Sequence, residues 1–419
     1  KKEKEELLSA LMVKLNCDTS ECVRKKLASN KQFAELLQEL NIEVPMKISP
    51  TTEKETFALA KNDEGFIALT EHEDSFIQEL CAVRLGTKST IEESRIERFL
   101  DIGSRNKGKL PIPLKYYGAH TGRWAGSDKV NFQNLPSRDK KKKALKNAIE
   151  APMGSVIINS DSSQIEARVL VWLAGQDDVV QWYKEERDVY CEFASTVYGR
   201  TITKADATER FVGKTCTLGL GYGTGWSKLQ HTLKTQPPGA VLDDHECQRL
   251  VKLYRQVNDR VIKLWEKCDK ALKDMAYWTD DMKPYYLGEH KCLLVTKEGI
   301  KLPNGLYIKY PDLTVEREEG REKFKYKSRK GMVYIWGGSV VENVVQALAR
   351  IIVGEQMIAI NEKYKPVLTV HDAIVCVATN EDKDNAIKFI TDVMSTPPSW
   401  GQDLPIACEA KFGQNYGDC

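Results

Sequence analysis

One abrupt change of hydrophobic period constrains the fold of this chain more than any other sequence feature. Residues 155–158 read SVII, a β-branched run that is typical of a strand buried in a sheet. After Asp161, apolar residues at Ile165, Val169 and Trp172 recur at helical spacing. We therefore predict that Asp161 lies where a strand ends and a helix begins, with its carboxylate directed away from the core.

A second aspartate follows another apolar strand about half the chain further on. The segment PVLTVHDAIVCVAT (366–379) contains two β runs with His371 and Asp372 between them, which predicts a hairpin with an acidic tip. A single aspartate at a strand end is most often a turn or cap residue. Two aspartates at the tips of neighbouring strands can instead hold a pair of divalent ions about 3.5–4 Å apart for phosphoryl transfer. Magnesium suits such a site because it takes few carboxylates and completes its octahedron with water and phosphates.

A cationic segment, ERFVGKTCTLGLGYGTGW (209–226), is predicted to be helical. Arg210 and Lys214 share one face of that helix, and Leu218 and Tyr222 follow around it. Two cations one turn apart match a polyphosphate, although two solvated surface cations are the alternative. Three glycines weigh against the alternative, because glycine weakens a helix that needs no close approach: Gly213, Gly219 and Gly221.

The remaining segments predict a mixed helical and strand protein. Residues 1–45 and 71–105 are expected to be helical, with a polar link at 47–63, and 108–138 is expected to form strands and turns. Residues 177–300 are expected to be mainly helical, and 301–313 predicts a turn between short strands. Residues 337–360 predict a strong helix with one apolar face, formed by Val341, Val344, Val345, Leu348 and Ile352.

Composition limits the class of protein. A chain of 419 residues, 42% hydrophobic and 29% charged, is an ordinary soluble chain with two or three subdomains. No stretch approaches about 20 apolar residues, so no transmembrane helix is expected. Eleven cysteines without a C-x-x-C pair suggest neither a zinc site nor disulfides, and indicate reduced thiols in the cytoplasm. The basic run 138–146 is either a solvated loop or a contact to phosphates.

Together these segments resemble the polymerase domain of family A DNA polymerases, the DNA polymerase I class, in the versions carried by bacteriophages. DSSQIEAR (161–168) is similar to motif A of that family, RFVGKTCTLGLGYG (210–223) to motif B, and VHDA (370–373) to motif C. TGRWAGSDKVNFQNLPSR (121–138) is similar to the family's primer-template binding segment. The resemblance runs in order from about residue 30 to the C-terminus.

The resemblance implies an α+β right-hand fold. Residues 1–107 would form the thumb, 108–176 and 336–419 a palm built on an antiparallel sheet, and 177–335 the fingers. It also implies a template-directed DNA polymerase of DNA replication that extends a primer 3′ end, without a proofreading exonuclease in this chain. The implied partners are primer-template DNA and dNTPs, with processivity or replisome proteins left open. The implied protein is a monomer without a membrane, located in the cytoplasm, or the host cytoplasm if phage-encoded.

The same resemblance assigns the catalytic and nucleotide-binding residues. Asp161 and Asp372, assisted by the backbone of Ser162, would hold two Mg²⁺ ions, for which Mn²⁺ is a substitute. Arg210 and Lys214 would grip the triphosphate, and Lys214 would also act in catalysis. The remaining nucleotide-binding residues are Gln164, Glu166 beneath the sugar, Leu218, and Tyr222 at the nascent pair.

A further set of residues is assigned to DNA. His371 would touch the primer terminus, and four residues would face the duplex minor groove. There the hydrogen-bond acceptors purine N3 and pyrimidine O2 allow a protein to check the shape of a base pair without reading its sequence. These four are Arg123, Asn131, Gln133 and Asn134, and the DNA-binding set is completed by Lys88 and Arg138.

Three departures from the family pattern are visible. Ala373 replaces the second acid of motif C, so two aspartates must suffice for the metals. Leu218 occupies a position that is commonly Phe or Tyr, which affects the expected handling of dideoxynucleotides. Glu342 stands where the family often has Gln near the template, and it is assigned no role.

Three alternatives remain beside this interpretation. A single-subunit RNA polymerase shares the palm and the motif B cations, but a ribonucleotide enzyme would keep the position of Glu166 open. A reverse transcriptase differs only in its template. A noncatalytic DNA-binding remnant is favoured by Ala373 alone, and the retention of Asp161, Asp372 and Arg210 argues against it.

Overall fold

The computed structural model describes residues 2–49, 54–87, 91–127, 131–135, 143–318, 320–329 and 331–419. The chain divides into two compact units, Lys1–Leu110 and Pro111–Cys419. Two of the predicted DNA-binding residues, Lys88 and Arg138, lie outside the described residues. The boundaries of thumb, palm and fingers stay predictions.

In its described residues, the first unit contains six helices and one pair of short antiparallel strands. The helices predicted in 1–45 and 71–105 are present, but the polar link contains a two-stranded antiparallel sheet. Each of its strands has only three residues, too few to give a clear period of two in the sequence. The elements are α1 (Lys2–Met12), α2 (Ser20–Ala28), α3 (Asn30–Glu39), β1 (Met46–Ile48), β2 (Glu55–Phe57), α4 (Glu64–Thr70), α5 (Ser75–Thr87) and α6 (Ile91–Arg105).

A buried arginine lies at the centre of the first unit. Arg84 of α5 is 1% exposed, and its guanidinium stacks 4.3 Å from the ring of Phe33. It donates hydrogen bonds to the carbonyl of Leu27, to that of Leu59 at 3.4 Å and to Oδ1 of Asn30 at 2.6 Å. The cation is buried without an acidic partner among these contacts, so the carbonyl and amide oxygens satisfy its donors.

The second unit combines helices with three larger antiparallel sheets. Its first elements are β3 (Leu114–Lys115), β4 (Ala125–Gly126), α7 (Ala144–Asn147), β5 (Ser155–Ser162), α8 (Ile165–Ala174), α9 (Asp177–Lys184), α10 (Val189–Tyr198), α11 (Ala207–Leu220), α12 (Trp226–Thr235), α13 (Asp244–Val257) and α14 (Asp259–Ala276). These are followed by β6 (Tyr285–Leu287), β7 (Leu293–Thr296), β8 (Gly299–Lys301), β9 (Tyr307–Ile308), β10 (Thr314–Glu318), β11 (Arg321–Ser328), β12 (Gly331–Ile335), α15 (Gly337–Ile360), β13 (Pro366–Val370), β14 (Ala373–Thr379), α16 (Lys383–Met394) and β15 (Cys408–Gly413).

A four-stranded antiparallel sheet of order β13-β14-β5-β15 organises this unit. One face of the sheet is buried: Val156 and Ile158 of β5 and Ile374 of β14 pack in one core with Ile390 of α16 and Val353 of α15. Because side chains alternate along a strand, Asp161 and its cross-strand neighbours lie on the opposite face. The core therefore determines which residues the sheet leaves accessible.

The prediction of a mainly helical segment through residue 300 is wrong for 277–300. Strands β6 to β8 occupy the end of that range, and with β9 they form a four-stranded sheet. In β7, Leu293 and Val295 are buried while their neighbours are half-buried, which is the period of a strand rather than of a helix. The expected turn between short strands at 301–313 is present between β8 and β9.

A three-stranded sheet of β10, β11 and β12 was not predicted. Its strands are rich in charge, and few of their side chains, such as Phe324, are buried. On the charged face, opposite charges pair diagonally across the strands, as in the ion pair between Lys325 Nζ and Glu316 Oε1 at 2.5 Å. The other face is apolar, because Val315, Phe324 and Ile335 lie opposite one another and pack on the main core. The sequence analysis missed the alternation of apolar and charged residues around Phe324 that produces these two faces.

Helix α15 is long and apolar enough to cross a membrane when judged by length and composition, contrary to the sequence expectation. However, 61% of its most apolar stretch is buried inside the protein, where it packs against α8 and α14. The apolar face predicted for this helix is buried. These are the properties of a core helix. All eleven cysteines are unpaired, as predicted.

Candidate active site

Two aspartates lie at the same end of the neighbouring strands β5 and β14 of the four-stranded sheet. Asp161 of β5 pairs with Ala373 of β14, and the amide of Ser162 donates to the carbonyl of Asp372 at 3.1 Å. Asp372 lies in the two-residue turn between β13 and β14, where His371 has a φ of 55° in the left-handed region. The predicted hairpin with an acidic tip is therefore present, and it brings Asp372 beside Asp161.

The surroundings of this pair disfavour negative charge. Burial raises the pKa of Asp372 to about 6, with Arg123 opposing the shift and Glu166 and Asp161 adding to it. Burial, followed by the charge of Glu409, raises the pKa of Asp161. A divalent cation would relieve this repulsion. The donor set also fits magnesium, which takes one or two protein carboxylates and fills its other positions with water and phosphate oxygens.

A third carboxylate is close to Asp161 but was missed in the sequence. Glu409 of β15 pairs across the sheet with Asp161, on the side opposite to Ala373, so the three side chains share a face. Within the described part of the chain, no three His, Cys, Asp or Glu side chains are grouped closely enough to hold a metal ion. The charge of Glu409 adds to the raised pKa of Asp161, and only the register of β15 against β5 reveals that the two residues are neighbours.

Arg123 and Glu166 form an ion pair beside the aspartates. Arg123 Nη2 donates to Glu166 Oε1, and the two side chains are 23% and 28% exposed. Glu166 lies in the first turn of α8, the helix predicted after the strand, and Gln164 before it has a φ of 54°. Burial and the charge of Arg123 lower the pKa of His371. Arg123, Glu166, His371 and Asp372 thus form one electrostatic cluster.

Helix α11 carries the predicted cations. Arg210, Lys214 and Leu218 recur at intervals of four residues along it, so they share one face, as predicted. Lys214 is exposed, and Leu218 is 43% exposed. The side chain of Leu218 is therefore accessible to a ligand and does not lie in the interior of the protein.

The prediction that Tyr222 continues this helix is wrong. Helix α11 ends at Leu220, and Tyr222 lies in the turn that follows. In that turn Gly223 has a φ of 81°, and a Cβ on it would lie 2.2 Å from the ring of Trp336. The helix is capped by Gly221, and the left-handed Gly223 two residues later lets the chain approach Trp336. Burial, followed by the charge of Glu166, raises the pKa of Tyr222.

The N-terminus of α10 binds Arg210 of α11 and lies near Lys214. Arg210 Nε donates to Asp188 Oδ2 at 2.8 Å, while Asp188 Oδ1 caps α10 by accepting from the amide of Tyr190 at 3.1 Å. The ring centre of Tyr190 lies 5.4 Å from the guanidinium of Arg210 and 6.0 Å from the ammonium of Lys214. The sequence analysis missed Asp188 and Tyr190. An aspartate before a helical run predicts a cap, but it does not predict this tertiary contact.

Glycines allow this packing. A Cβ on Gly213 would lie 2.3 Å from the carbonyl oxygen of Tyr190, so α10 approaches α11 only because this side chain is absent. A Cβ on Gly221 would lie 2.6 Å from Leu170. A Cβ on Gly219 would meet no atom closer than 3.7 Å. Two of the three glycines singled out in the sequence therefore serve close approach, and Gly219 does not.

A cavity of about 810 Å³ lies between α8, the end of α9, the first turn of α11 and the C-terminal segment. It extends from Arg210 and Asp188 on one side to Gln164 and Glu409 on the other, so it connects the cationic helix with the neighbourhood of Asp161. Five cationic side chains line it: Arg168, Lys184, Arg187, Lys204 and Arg210. Four acidic side chains also line it: Glu186, Asp188, Asp403 and Glu409. The five cations therefore exceed the acids by only one, and it is the size of the cavity and the planar fork of Arg210 that suit a small anionic ligand such as a polyphosphate.

The predicted minor-groove residues are grouped in a short segment. Asn131 caps the 3₁₀ helix Phe132–Asn134 by accepting from the amide of Gln133 at 3.0 Å. Gln133 is half-buried, and Asn134 is exposed. This helix packs against β13, the strand that leads to His371. The segment is therefore placed beside the end of the sheet that carries the aspartates.

Residues 2–418 match the family model of DNA polymerase family A, and the chain belongs to that family. It is 30% identical over 347 residues to the DNA polymerase of Bacillus phage SP02, which covers 72% of this chain and 52% of the phage protein. It is 28% identical over 166 residues to the thermostable DNA polymerase I of Thermus aquaticus, which covers 40% of this chain and 19% of that protein. The chain thus spans about half the length of its phage relative.

The fold is similar to that of a solved structure, the polymerase domain of Pol1 from M. smegmatis in complex with DNA primer-template and dNTP. The TM-score is 0.69 at 17% sequence identity, and the match covers 99% of this chain and 64% of that chain. The predicted α+β right-hand class with antiparallel sheets is confirmed.

The packing of α10 on α11 predicts unequal effects for two glycine substitutions on the same helix. Gly213→Ala should lower the free energy of unfolding by about 1–3 kcal/mol, because its Cβ meets backbone of α10. Gly219→Ala, the matched control, should be neutral or stabilising, because alanine favours the helix and finds only ordinary contacts. Urea unfolding of the whole chain measures both values, and equal stabilities would contradict the assigned packing.

Proposed function

We propose that this chain is a template-directed DNA polymerase that adds deoxynucleotides to a primer 3′ end. One observation carries the proposal: the pairing of β5 with β14 sets Asp161 beside Asp372. Two further observations support it, namely the cavity that connects this neighbourhood to the cationic helix α11, and membership of DNA polymerase family A.

The reaction would be a phosphoryl transfer from the incoming nucleotide to the primer 3′-hydroxyl. Two Mg²⁺ ions held by Asp161, Asp372 and the backbone of Ser162, with Mn²⁺ as a substitute, would stabilise the attacking and leaving oxygens. Asp161 and Asp372 must be ionised to bind a cation, so protonation of Asp372 competes with binding at low pH. The absence of an acid at Ala373 leaves these two aspartates as the carboxylate ligands.

Residues of α11 would bind the triphosphate. Arg210 presents a planar fork to phosphate oxygens, and Lys214 contributes a compact charge that also stabilises the leaving group. Arg210 is hydrogen-bonded to Asp188, so a triphosphate would take the place of this carboxylate on at least part of the guanidinium. The ring of Tyr190 lies near both cations and would keep their spacing while this exchange occurs.

The sugar and base of the nucleotide would lie next to Glu166, Gln164, Leu218 and Tyr222. Glu166 would occupy the space at C2′ and so exclude a ribose hydroxyl. Its ion pair with Arg123 holds the carboxylate in one position, which suits a steric role. Leu218 lacks the flat surface of an aromatic side chain and the hydroxyl that a tyrosine would add. We therefore expect the enzyme to discriminate against dideoxynucleotides.

The DNA would be a primer-template duplex. Arg123, Asn131, Gln133 and Asn134 would face the minor groove, and His371 would touch the primer terminus, where these polar groups check pair shape rather than sequence. We assign no proofreading exonuclease activity to residues 1–419. We also propose that the protein acts as a monomer in the cytoplasm.

Primer extension tests the proposal and its two carboxylates together. With magnesium, a DNA template and dNTPs, the chain should extend a primer. Asp161→Asn and Asp372→Asn should each reduce the rate about a hundredfold or more, because each removes a metal ligand's charge at the reacting oxygens. Primer-template affinity, measured by fluorescence anisotropy, should stay within about twofold, because metal ligands make few DNA contacts.

Glu409→Gln is the matched control for the two aspartate variants. It removes a neighbouring carboxylate that is not one of the two proposed metal ligands, so most of the extension rate should remain. DNA binding without extension would favour the noncatalytic alternative. Preferential use of ribonucleotides would favour an RNA polymerase. An active Asp161→Asn or Asp372→Asn variant would contradict the metal assignment.

Two substitutions of Glu166 distinguish the effect of its side-chain volume from the effect of its charge. Glu166→Ala should admit ribonucleotides, because it opens space at C2′, and should also slow extension, because it releases Arg123. Glu166→Gln keeps the volume but loses the charge, so it should slow extension and still exclude ribonucleotides. Competition between dNTPs and rNTPs measures selectivity in both variants. If Glu166→Gln admits ribonucleotides as readily as Glu166→Ala, the steric role is wrong.

A further inference from the structure

A buried arginine in helix α8 binds two main-chain carbonyls from distant parts of the chain. Arg168 is 9% exposed. Its Nε donates to the carbonyl of Ser163 at 2.7 Å, and its Nη1 donates to the carbonyl of Pro405 at 3.2 Å. The ring centre of Tyr183 lies 4.4 Å from the guanidinium. Both hydrogen-bond acceptors are neutral backbone groups, so this cation fixes the path of the main chain.

The first of these carbonyls belongs to the turn that follows Asp161. Strand β5 ends one residue after Asp161, and Ser163 and Gln164 then turn the chain into α8. We call these two residues the Ser163 turn. Gln164 has a φ of 54°, a left-handed conformation that a residue other than glycine keeps only where its surroundings hold it. Arg168 binds both residues of the turn, because its amide donates to the carbonyl of Gln164 at 3.0 Å.

The second carbonyl belongs to the segment 401–407, which leads into β15. Pro405 of this segment accepts from Arg168, and two residues later Ala407 accepts from the amide of Ser163 at 2.9 Å. The Ser163 turn is therefore held from two directions, by the helix that follows it and by the segment beside it. The side chain of Arg168 binds both the turn and the segment.

Another contact attaches the same segment to α8. Trp172 follows Arg168 by four residues and lies on the same face of the helix. Its Nε1 donates to Asp403 Oδ1 at 3.0 Å, and a Cβ on Gly401 would lie 3.2 Å from its ring. The segment is thus attached to α8 at two points, and the attachment at Arg168 also includes the Ser163 turn.

Arg168 also lines the active-site cavity, so a direct contact with phosphate is the alternative role. Its present contacts favour a structural bridge. Arg210 is half-buried and pairs with the carboxylate of Asp188, which a phosphate can replace. The partners of Arg168 are backbone carbonyls of Ser163 and Pro405, which cannot give way to a phosphate unless the main chain moves.

We propose that Arg168 is a positioning residue for Asp161 and the backbone of Ser162. By joining the Ser163 turn to the segment 401–407, it keeps these groups in the orientation that a divalent cation requires. Magnesium demands near-ideal octahedral geometry, and residues that orient a metal ligand typically change metal affinity or activity about 10–100-fold. The proposal rests on the proposed function, because it assigns the metal to Asp161.

Two substitutions distinguish the planar fork of Arg168 from its charge. Arg168→Lys keeps the charge, and Arg168→Gln keeps an amide donor without the charge, but neither can bridge the two carbonyls as a rigid fork does. In primer extension, both variants should raise the Mg²⁺ concentration that gives half-maximal rate about tenfold, while the KM for dNTP at saturating Mg²⁺ stays within about twofold.

Hydrogen exchange of the metal-free protein measures the same role without catalysis. Peptides that cover residues 159–166 and 401–407 should exchange faster in both variants than in the wild type, because the turn and the segment lose the side chain that joins them. Peptides from α11 should exchange at the wild-type rate. Mass spectrometry of the digested protein gives all three values.

Arg84→Lys is the matched control, because Arg84 is also a buried arginine that donates to main-chain carbonyls, those of Leu27 and Leu59. It should lower stability to urea without changing the Mg²⁺ requirement or the exchange of residues 159–166. A wild-type Mg²⁺ requirement and wild-type exchange in Arg168→Lys would overturn the proposal, because charge alone would then suffice. A raised KM for dNTP with an unchanged Mg²⁺ requirement would also overturn it and assign Arg168 to the triphosphate.

Trp172→Phe tests the bridge if neither variant of Arg168 folds. It keeps a buried ring and removes only the donor to Asp403, so it loosens the same segment at its other attachment. Exchange of 401–407 and the Mg²⁺ requirement should both rise, by less than in the Arg168 variants, and no change in either would contradict the proposal. Failure of the wild type to extend a primer would count against the proposed function, whereas exchange in the metal-free protein would still decide whether Arg168 holds the turn.

Discussion

The antiparallel pairing of β5 with β14 is the interaction on which the site depends. Its register opposes Asp161 to Ala373 and thereby places Asp372, the last residue of the turn, beside Asp161. Since side chains alternate along a strand, a slip of one residue would turn Asp161 into the core and expose Ile158. The packing of Val156, Ile158 and Ile374 against α16 prevents that slip. The hydrophobic core of the sheet thus specifies the geometry of its two carboxylates.

A second set of contacts positions the cations in the absence of substrate. Arg210 is paired with Asp188, and Arg123 is paired with Glu166, so these two arginines have carboxylate partners. Gly213 brings α10 close enough for the first pair. Such pairs keep long side chains in place, and under the proposed function a triphosphate would replace the carboxylate on Arg210. The aspartates at the end of the sheet differ from these paired arginines. Burial and repulsion between neighbouring carboxylates raise their pKa values, and a bound cation would stabilise their ionised form.

Much of the central architecture could be predicted from the sequence, because its apolar periods are strong. The strand before Asp161 and the strands of the acidic hairpin carry continuous apolar runs, and the helix after Asp161 and helix α15 carry helical spacing. The strands of 277–300 are too short for a clear pattern, and the alternation in β11 of the charged sheet was missed. The turn at Tyr222 depends on Gly223 and on Trp336, which is far away in sequence. Asp188, Tyr190 and Glu409 were missed for a similar reason, since their partners are set by tertiary packing and strand register. The site roles drawn from the family resemblance stay predictions.

The central claim is that two carboxylates on adjacent strands hold two metal ions. The most direct measurement is the number of Mn²⁺ ions in a complex of the whole chain with a primer-template and the next dNTP, with the primer ended by a dideoxynucleotide to prevent reaction. Electron paramagnetic resonance of free Mn²⁺ gives the bound number, corrected for a sample without protein. The account predicts two ions per complex, coupled to each other at the short separation of a two-metal site. A single ion, carried by the triphosphate alone, would contradict it.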